Sequence, residues 1–396
     1  MTKAMRKIVM CLMIAAALWL AGCGNAAADT LDDIPSADTA DIAAQLDFGR
    51  LDESLADIGD YFSESYGSFD FEEFWQQVKQ GNFQFGFREF FQMLLDMFFG
   101  DIKSCFGTLV QLLALAVISA LLVNFSGSFT NQSASFARGI VYVVMIAAVL
   151  RAFVICGSSV TATLGLMTDF LYAMIPVLLT LFVAMGGVSA IGLYNPLLMF
   201  AVAACMNIVN YFILPLVYCN AGLTVASNIS SDFDLSKLSK FLKTVAIGVL
   251  TLTFTLFSAV IGVVGLGSAA MDGLTLKTAK SAIGVFVPVV GRSIADIFGT
   301  LISTALVLKN CLGIAGILII VAICMVPAVK TLIMSWIFKL CGAVAEPLGD
   351  KKLADTLTNL GGVLTVLFAV AAACGIFFFF LLAITMAMGN VNLAVS

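Results

Sequence analysis

From residue 104 onward the chain is a series of apolar runs separated by short stretches that hold most of its charges. A run of about 20 residues, wound as a helix rising about 1.5 Å per residue, matches the roughly 30 Å hydrocarbon core of a bilayer. The pattern predicts eight membrane-spanning helices, at 104–124, 139–158, 169–188, 196–222, 244–267, 281–305, 310–334 and 359–387. Ahead of them the pattern is amphipathic instead. Leu51, Leu55, Ile58 and Phe62 recur at helical spacing, Asp70 and Glu73 make a capping box before Phe71, Phe74, Trp75 and Val78, and Phe87, Phe90, Phe91, Leu94, Leu95 and Phe98 form a third stripe ending at Gly100. Three short helices of this kind pack on one another, lie along a membrane, or dock other extracytoplasmic proteins. The expected fold class is all-α: a polytopic helical membrane protein with a small helical segment in front.

Composition agrees with that pattern. Hydrophobic residues make up 61% of the chain and charged ones 11%, against about 25% charged in soluble domains. So few charges cannot clothe a water-facing surface, so membrane lipid is the first expected partner. The chain has no His, which removes the usual general base and the commonest metal ligand. Its ten cysteines contain no Cys-x-x-Cys and, beyond Cys11 and Cys23, are scattered through apolar stretches as small buried residues. No metal, no cofactor and no enzymatic activity are expected.

Charge is divided along the chain. Residues 29–101 hold 17 Asp and Glu against Arg50, Lys79 and Arg88, whereas residues 102–396 hold 14 Lys and Arg against 8 Asp and Glu. The acidic part offers nothing to a nucleic acid, and the division suggests two compartments. The first residues explain how the acidic part would leave the cytoplasm. Lys3, Arg6 and Lys7 precede an apolar run from Ile8 to Leu20, too short for a stable span and typical of an export signal. Leu20-Ala21-Gly22-Cys23 resembles a bacterial lipobox, making Cys23 a lipidation candidate, and Ala26-Ala27-Ala28 suits ordinary cleavage after residue 28. The expected division is a signal peptide at 1–23, an acidic extracytoplasmic helical segment at 24–101, two transmembrane helices at 102–162, and membrane repeats at 163–273 and 274–396.

The two repeats rest on spacing. A shift of 112 residues brings Pro176-Val177 onto Pro288-Val289 and Pro215 onto Pro327, and a shift of 114 brings Gly248-Val-Leu-Thr251 onto Gly362-Val-Leu-Thr365. Three spans per copy would invert the second copy relative to the first, as in many secondary transporters. Inversion would also explain why Lys237, Lys240 and Lys243 fall outside when Arg138, Lys277, Lys280, Lys339, Lys351 and Lys352 fall inside, as the positive-inside rule asks. Pro176, Pro215, Pro288 and Pro327 all lie in predicted spans, where each kinks the helix or breaks it at a conduit or gate. Arg292 and Asp296 stand four apart on one helical face. Unpaired at the membrane centre each would cost roughly 2.5 to 3.5 kcal/mol, so they pair, snorkel or line water. Arg151 and Asp169 sit closer to predicted span ends, where snorkelling suffices.

Met271-Asp-Gly-Leu-Thr-Leu-Lys-Thr-Ala-Lys280, Val287-Pro-Val-Val-Gly-Arg292, Leu308-Lys-Asn310 with Gly313-Ile-Ala-Gly316, Phe338-Lys-Leu340, Glu346-Pro-Leu-Gly349 and Gly389-Asn390 together resemble the stage III sporulation protein AE family. Upstream of these motifs the resemblance is one of layout. It implies an endospore-forming bacterium and a multi-pass protein of the mother-cell membrane surrounding the forespore. It further implies a place among other stage III sporulation proteins, in a hetero-oligomeric channel or secretion-like complex that sustains late forespore development. The rival reading from the residues alone is a stand-alone secondary transporter, favoured by the inverted repeat and by Arg292 with Asp296.

Overall fold

A computed structural model of the chain describes residues 48–66, 75, 87–125, 131–185, 188–229, 235–286, 291–347 and 350–394. Every regular element among them is helical. In chain order these are α1 (Gly49–Tyr66), α2 (Phe87–Phe125), α3 (Asn131–Ala184), α4 (Val188–Ile208), a π-helical turn (Val209–Ile213), α5 (Leu214–Ile229), α6 (Ser236–Phe286), α7 (Gly291–Ala345) and α8 (Lys351–Ala394). Cys23 and Pro288 lie outside the described residues, as does the capping box at Asp70 and Glu73.

Six helical segments among the described residues are long and apolar enough to cross a membrane: Leu94–Ser119, Gly139–Ala184, Asn195–Ser227, Lys237–Val263, Thr304–Ala345 and Lys351–Met386. The eight predicted spans are revised accordingly. The pair predicted at 139–158 and 169–188 is one uninterrupted helix, α3. Its middle is rich in hydroxyls, which read as a loop, yet Thr161 and Thr168 donate back to the carbonyls of Gly157 and Leu164 and stay helical. The stripe expected to stop at Gly100 instead continues without a break into the first span, as α2. The span predicted at 281–305 is divided between the end of α6 at Phe286 and the start of α7 at Gly291.

The helices alternate in direction. α7 and α8 make the most extensive contact of any pair, and their register is antiparallel throughout. Gly313 meets Met386, Gly316 meets Leu382, Gly375 meets Cys324, Gly361 meets Ser335 and Gly342 meets Thr358. At each point one helix offers no Cβ, and the other fills the space, so the backbones approach closely, as small residues permit between membrane helices. α3 runs parallel to α8: Tyr142 bonds Thr356, and farther up Met174 and Leu382 converge on Gly316. α6 also runs parallel to α8, with Lys243 at Gly362, Phe254 stacked on Phe377 at 5.0 Å, and Ile384 at Gly262. α2 descends beside them, since Cys105 lies near Cys156 of α3 and Ser119 donates to Asp350 at the start of α8.

One end of the bundle therefore gathers the end of α5 and of α7 and the start of α3, α6 and α8. Lys237, Lys240, Lys243, Lys339, Lys351 and Lys352 all belong to it, and it is called the basic end below. This corrects the inverted topology. The segments matched at a shift of 114 lie in α6 and α8, which are parallel, and the helices holding Pro215 and Pro327 both run towards the basic end. The lysines that looked misplaced share an end with Lys351 and Lys352, and α6 carries Lys277 and Lys280 away from it.

Candidate functional site

Charge within so apolar a bundle marks the places where chemistry beyond packing is available. α7 is the most enclosed span, with 78% of its apolar window buried against 22% for α2 and α6, and it carries three lysines along its length. Lys309, near the end opposite the basic one, is 1% exposed, and its Nζ donates to the Met386 carbonyl of α8 at 2.7 Å. The next residue, Asn310, buries its Oδ1 with no hydrogen-bond partner among the described residues. Lys330, midway, lies within electrostatic reach of Cys105 and Cys156, as does Asp101 of α2. Lys339, at the basic end, donates to Thr365 Oγ1 at 2.8 Å.

The basic end is the more elaborate of these places. Thr365 also donates to the Gly361 carbonyl and lies 2.9 Å from Ser335 Oγ, and Ser335 donates to the same carbonyl at 2.7 Å. Gly361 turns towards α7, where a Cβ would meet Lys339 Cγ at 2.9 Å, and Gly362 turns towards α6, where a Cβ would lie 3.8 Å from Lys243 Nζ. Lys243 and Lys339 thus reach the same turn of α8 from two helices, and Lys339 feels the charge of Lys243. No carboxylate among the described residues forms an ion pair with either. Nearby polar pairs tie the same end together. Asp350 Oδ1 accepts from the Leu353 backbone N–H as an N-cap of α8 while Oδ2 accepts from Ser119, and Tyr142 joins Thr356 at 3.2 Å.

The residues singled out from sequence fare differently. Pro176 and Pro327 sit inside continuous helices, and in each case the threonine one turn on, Thr180 or Thr331, donates to the proline carbonyl. Neither breaks its helix. Pro215 follows the π-helical turn, where the Leu214 N–H reaches five residues back to Val209. A proline lacks the N–H that would close the next bond, and the wider turn accommodates its ring. Arg292 and Asp296 fall in the first turns of α7, with their side chains outside what is described. Arg151 and Asp169, expected near span ends, are both mid-way along α3 on exposed faces. The span boundaries expected at 305 and 310 put Lys309 in a loop, whereas the structure places it inside the continuous helix α7.

Among the described residues no three His, Cys, Asp or Glu side chains are grouped to hold a metal ion. What the helices and their lysines define is a multi-pass helical membrane protein with cationic side chains enclosed in its core. The profile of the family described as stage III sporulation protein AE matches residues 69–389. A curated relative, "Stage III sporulation protein AE" of Bacillus subtilis (strain 168), is 32% identical over 317 residues, which is 79% of this chain and 79% of the relative. No solved structure matches. The chain belongs to the stage III sporulation protein AE family.

Proposed function

We propose that this protein is an integral membrane subunit of the hetero-oligomeric channel or secretion-like complex that connects the mother cell with the forespore and sustains late forespore development. The observation that carries the reading is the family match, which takes in all six candidate spans. The basic end would face the mother-cell cytoplasm by the positive-inside rule. The start of α2 and the end of α8 lie at the other end, so the acidic residues 24–101 would face the space between the two membranes. That is the side to which an export signal would deliver them, whether cleavage falls at Cys23 with lipidation or after residue 28. The protein would act as scaffold or conduit with other stage III sporulation proteins, and as no enzyme.

The transporter reading loses the inverted repeat that favoured it. Co-purification from sporulating cells combined with reconstitution separates the two. The expected result is a stable assembly with other membrane proteins of the same stage, and no solute flux by the purified chain alone. Flux through vesicles holding only this protein would establish the transporter instead.

A further inference from the structure

A pair of lysines facing one glycine-rich turn, with no carboxylate among the described residues paired to either, is an incomplete arrangement. Like charges repel, and burying half of each side chain strengthens the repulsion by removing water. Such a pair becomes favourable when an anion lies between or above the two ammonium groups. The opening for one lies at Gly362, which is partly open to the surface and where a Cβ would meet nothing closer than the Lys243 Nζ at 3.8 Å; Gly361, one residue away, packs directly against the Lys339 stem. Thr365 Oγ1 accepts from the Lys339 ammonium at 2.8 Å and holds it in place on this side of α8. From a structure of this kind we infer that Lys243 and Lys339, the latter positioned by Thr365, form a binding site for the phosphodiester headgroup of an anionic phospholipid.

Several features favour a lipid over a dissolved anion. Trp336, one turn before Lys339 on α7, is 60% exposed, and Leu340 beside it is exposed too. On α6, Leu238 and Phe241 are exposed beside Lys240 and Lys237, which are exposed as well. Aromatic and aliphatic side chains mixed with lysines at one level of a helical bundle are the signature of the interface between headgroups and acyl chains. There a phosphate meets the lysines while its chains lie against the apolar residues. Basic pockets between membrane helices on the cytoplasmic side hold anionic headgroups in this way. Lysine suits the task as a point charge that a phosphate oxygen approaches from many directions, and two of them specify a charged headgroup over a zwitterionic one.

The test uses the full chain purified in detergent and exchanged into mixed lipid. Native mass spectrometry and thermal melting are run with phosphatidylglycerol, with phosphatidylcholine and with inorganic phosphate. The wild-type chain should retain phosphatidylglycerol through delipidation, and its melting temperature should rise with that lipid but not with phosphatidylcholine. Lys243→Gln with Lys339→Gln should lower phosphatidylglycerol retention by at least about tenfold, since each lysine near a membrane surface contributes to such binding. The charge-preserving Lys243→Arg with Lys339→Arg should recover most of it. Lys240→Gln, which removes an exposed charge of the same helix, should cost much less. Equal stabilisation by both lipids overturns the proposal, as does an equal loss on Lys240→Gln. Displacement of the lipid by millimolar inorganic phosphate would make the ligand a soluble phosphate and overturn the assignment to lipid. The melting shift of the wild-type chain decides the matter even if the glutamine variants fail to fold.

Discussion

Lys309 shows how much one side chain in the core can be asked to do. Its Nζ rests on a carbonyl of α8, in a place where an apolar residue of the same length would pack without desolvating a charge. Replacing a buried charge by a well-fitting apolar group is often neutral or stabilising, so Lys309→Met should accumulate in the membrane at the wild-type level or above. If the buried charge serves function, as desolvated ionisable groups at functional sites do, sporulation should nonetheless fall by about tenfold or more. Normal heat-resistant spore counts from Lys309→Met would make the lysine a structural accident. Glycines give a second contrast. A Cβ at Gly375 would overlap Cys324, including its Cβ, whereas one at Gly165 meets nothing within 4 Å. Gly375→Ala should destabilise the purified protein by about 1 to 3 kcal/mol, and Gly165→Ala should stabilise it by about 0.5 to 1 kcal/mol. Thermal unfolding of the two variants in detergent would show it, and equal effects would mean that α7 and α8 do not pack in this register. At this scale the sequence was legible where one face repeats: Leu51, Leu55, Ile58 and Phe62, spaced as a helix requires, are all buried in α1. It was silent where a partner from a distant helix decides, as with Lys243 and Gly362, because nothing local announces that contact.

Elements were legible in kind and misjudged in extent. Apolar windows identify helix and lipid, but a helix ends only where the backbone finds another use for its hydrogen bonds, and the hydroxyls of α3 do not offer one. Tyr61 of α1 lies 3.4 Å from Ser159 and 3.2 Å from Thr163, so the stretch that read as a turn is where another helix docks. Of the two readings of proline, a kink or a break, the helices at Pro176 and Pro327 exclude the break. Deep in a helix it removes one bond, and at Pro176 and Pro327 the surrounding bundle holds the helix through that loss. Relative direction was misread, since it followed from the number of spans and hydropathy is the same along a helix and against it. The correction is testable. Single cysteines at Lys240 and Lys351, in a background free of other cysteines, should be labelled from the same side of the membrane by an impermeant thiol reagent. Labelling from opposite sides would restore the inverted arrangement and refute the parallel run of α6 and α8.

The whole bundle is taller than a bilayer is thick. The apolar parts of α3, α7 and α8 extend over 46, 42 and 36 residues, or about 69, 63 and 54 Å of helix, against a hydrocarbon core of about 30 Å. The exterior of α3 records a boundary. Phe136, Ile140, Val143, Val144, Val154 and Ile155 are exposed over its first part, and from there to Asp169 the exposed residues are Ser158, Thr161, Ala162, Gly165 and Asp169, with no large apolar side chain among them. α1 docks at that level, about 26 to 32 Å of helix above Tyr142. On the other flank the exposed apolar residues of α6 continue through Val260 to Val263. Nitroxide probes at Val143 and Val260 should therefore be relaxed by oxygen, as in lipid, and probes at Thr161 and Asp169 by a water-soluble nickel chelate. Oxygen-dominated relaxation at all four would place the whole height of α3 in lipid. The shared direction of the α5–α6 and α7–α8 hairpins has a bearing on how the chain enters the membrane. Each hairpin brings lysines to the same turn on the same side, so the insertion machinery meets one instruction twice. Neutralising either set alone, Lys237 to Lys243 or Lys351 with Lys352, should therefore leave the orientation unchanged, and only the loss of both should let the polypeptide thread backwards.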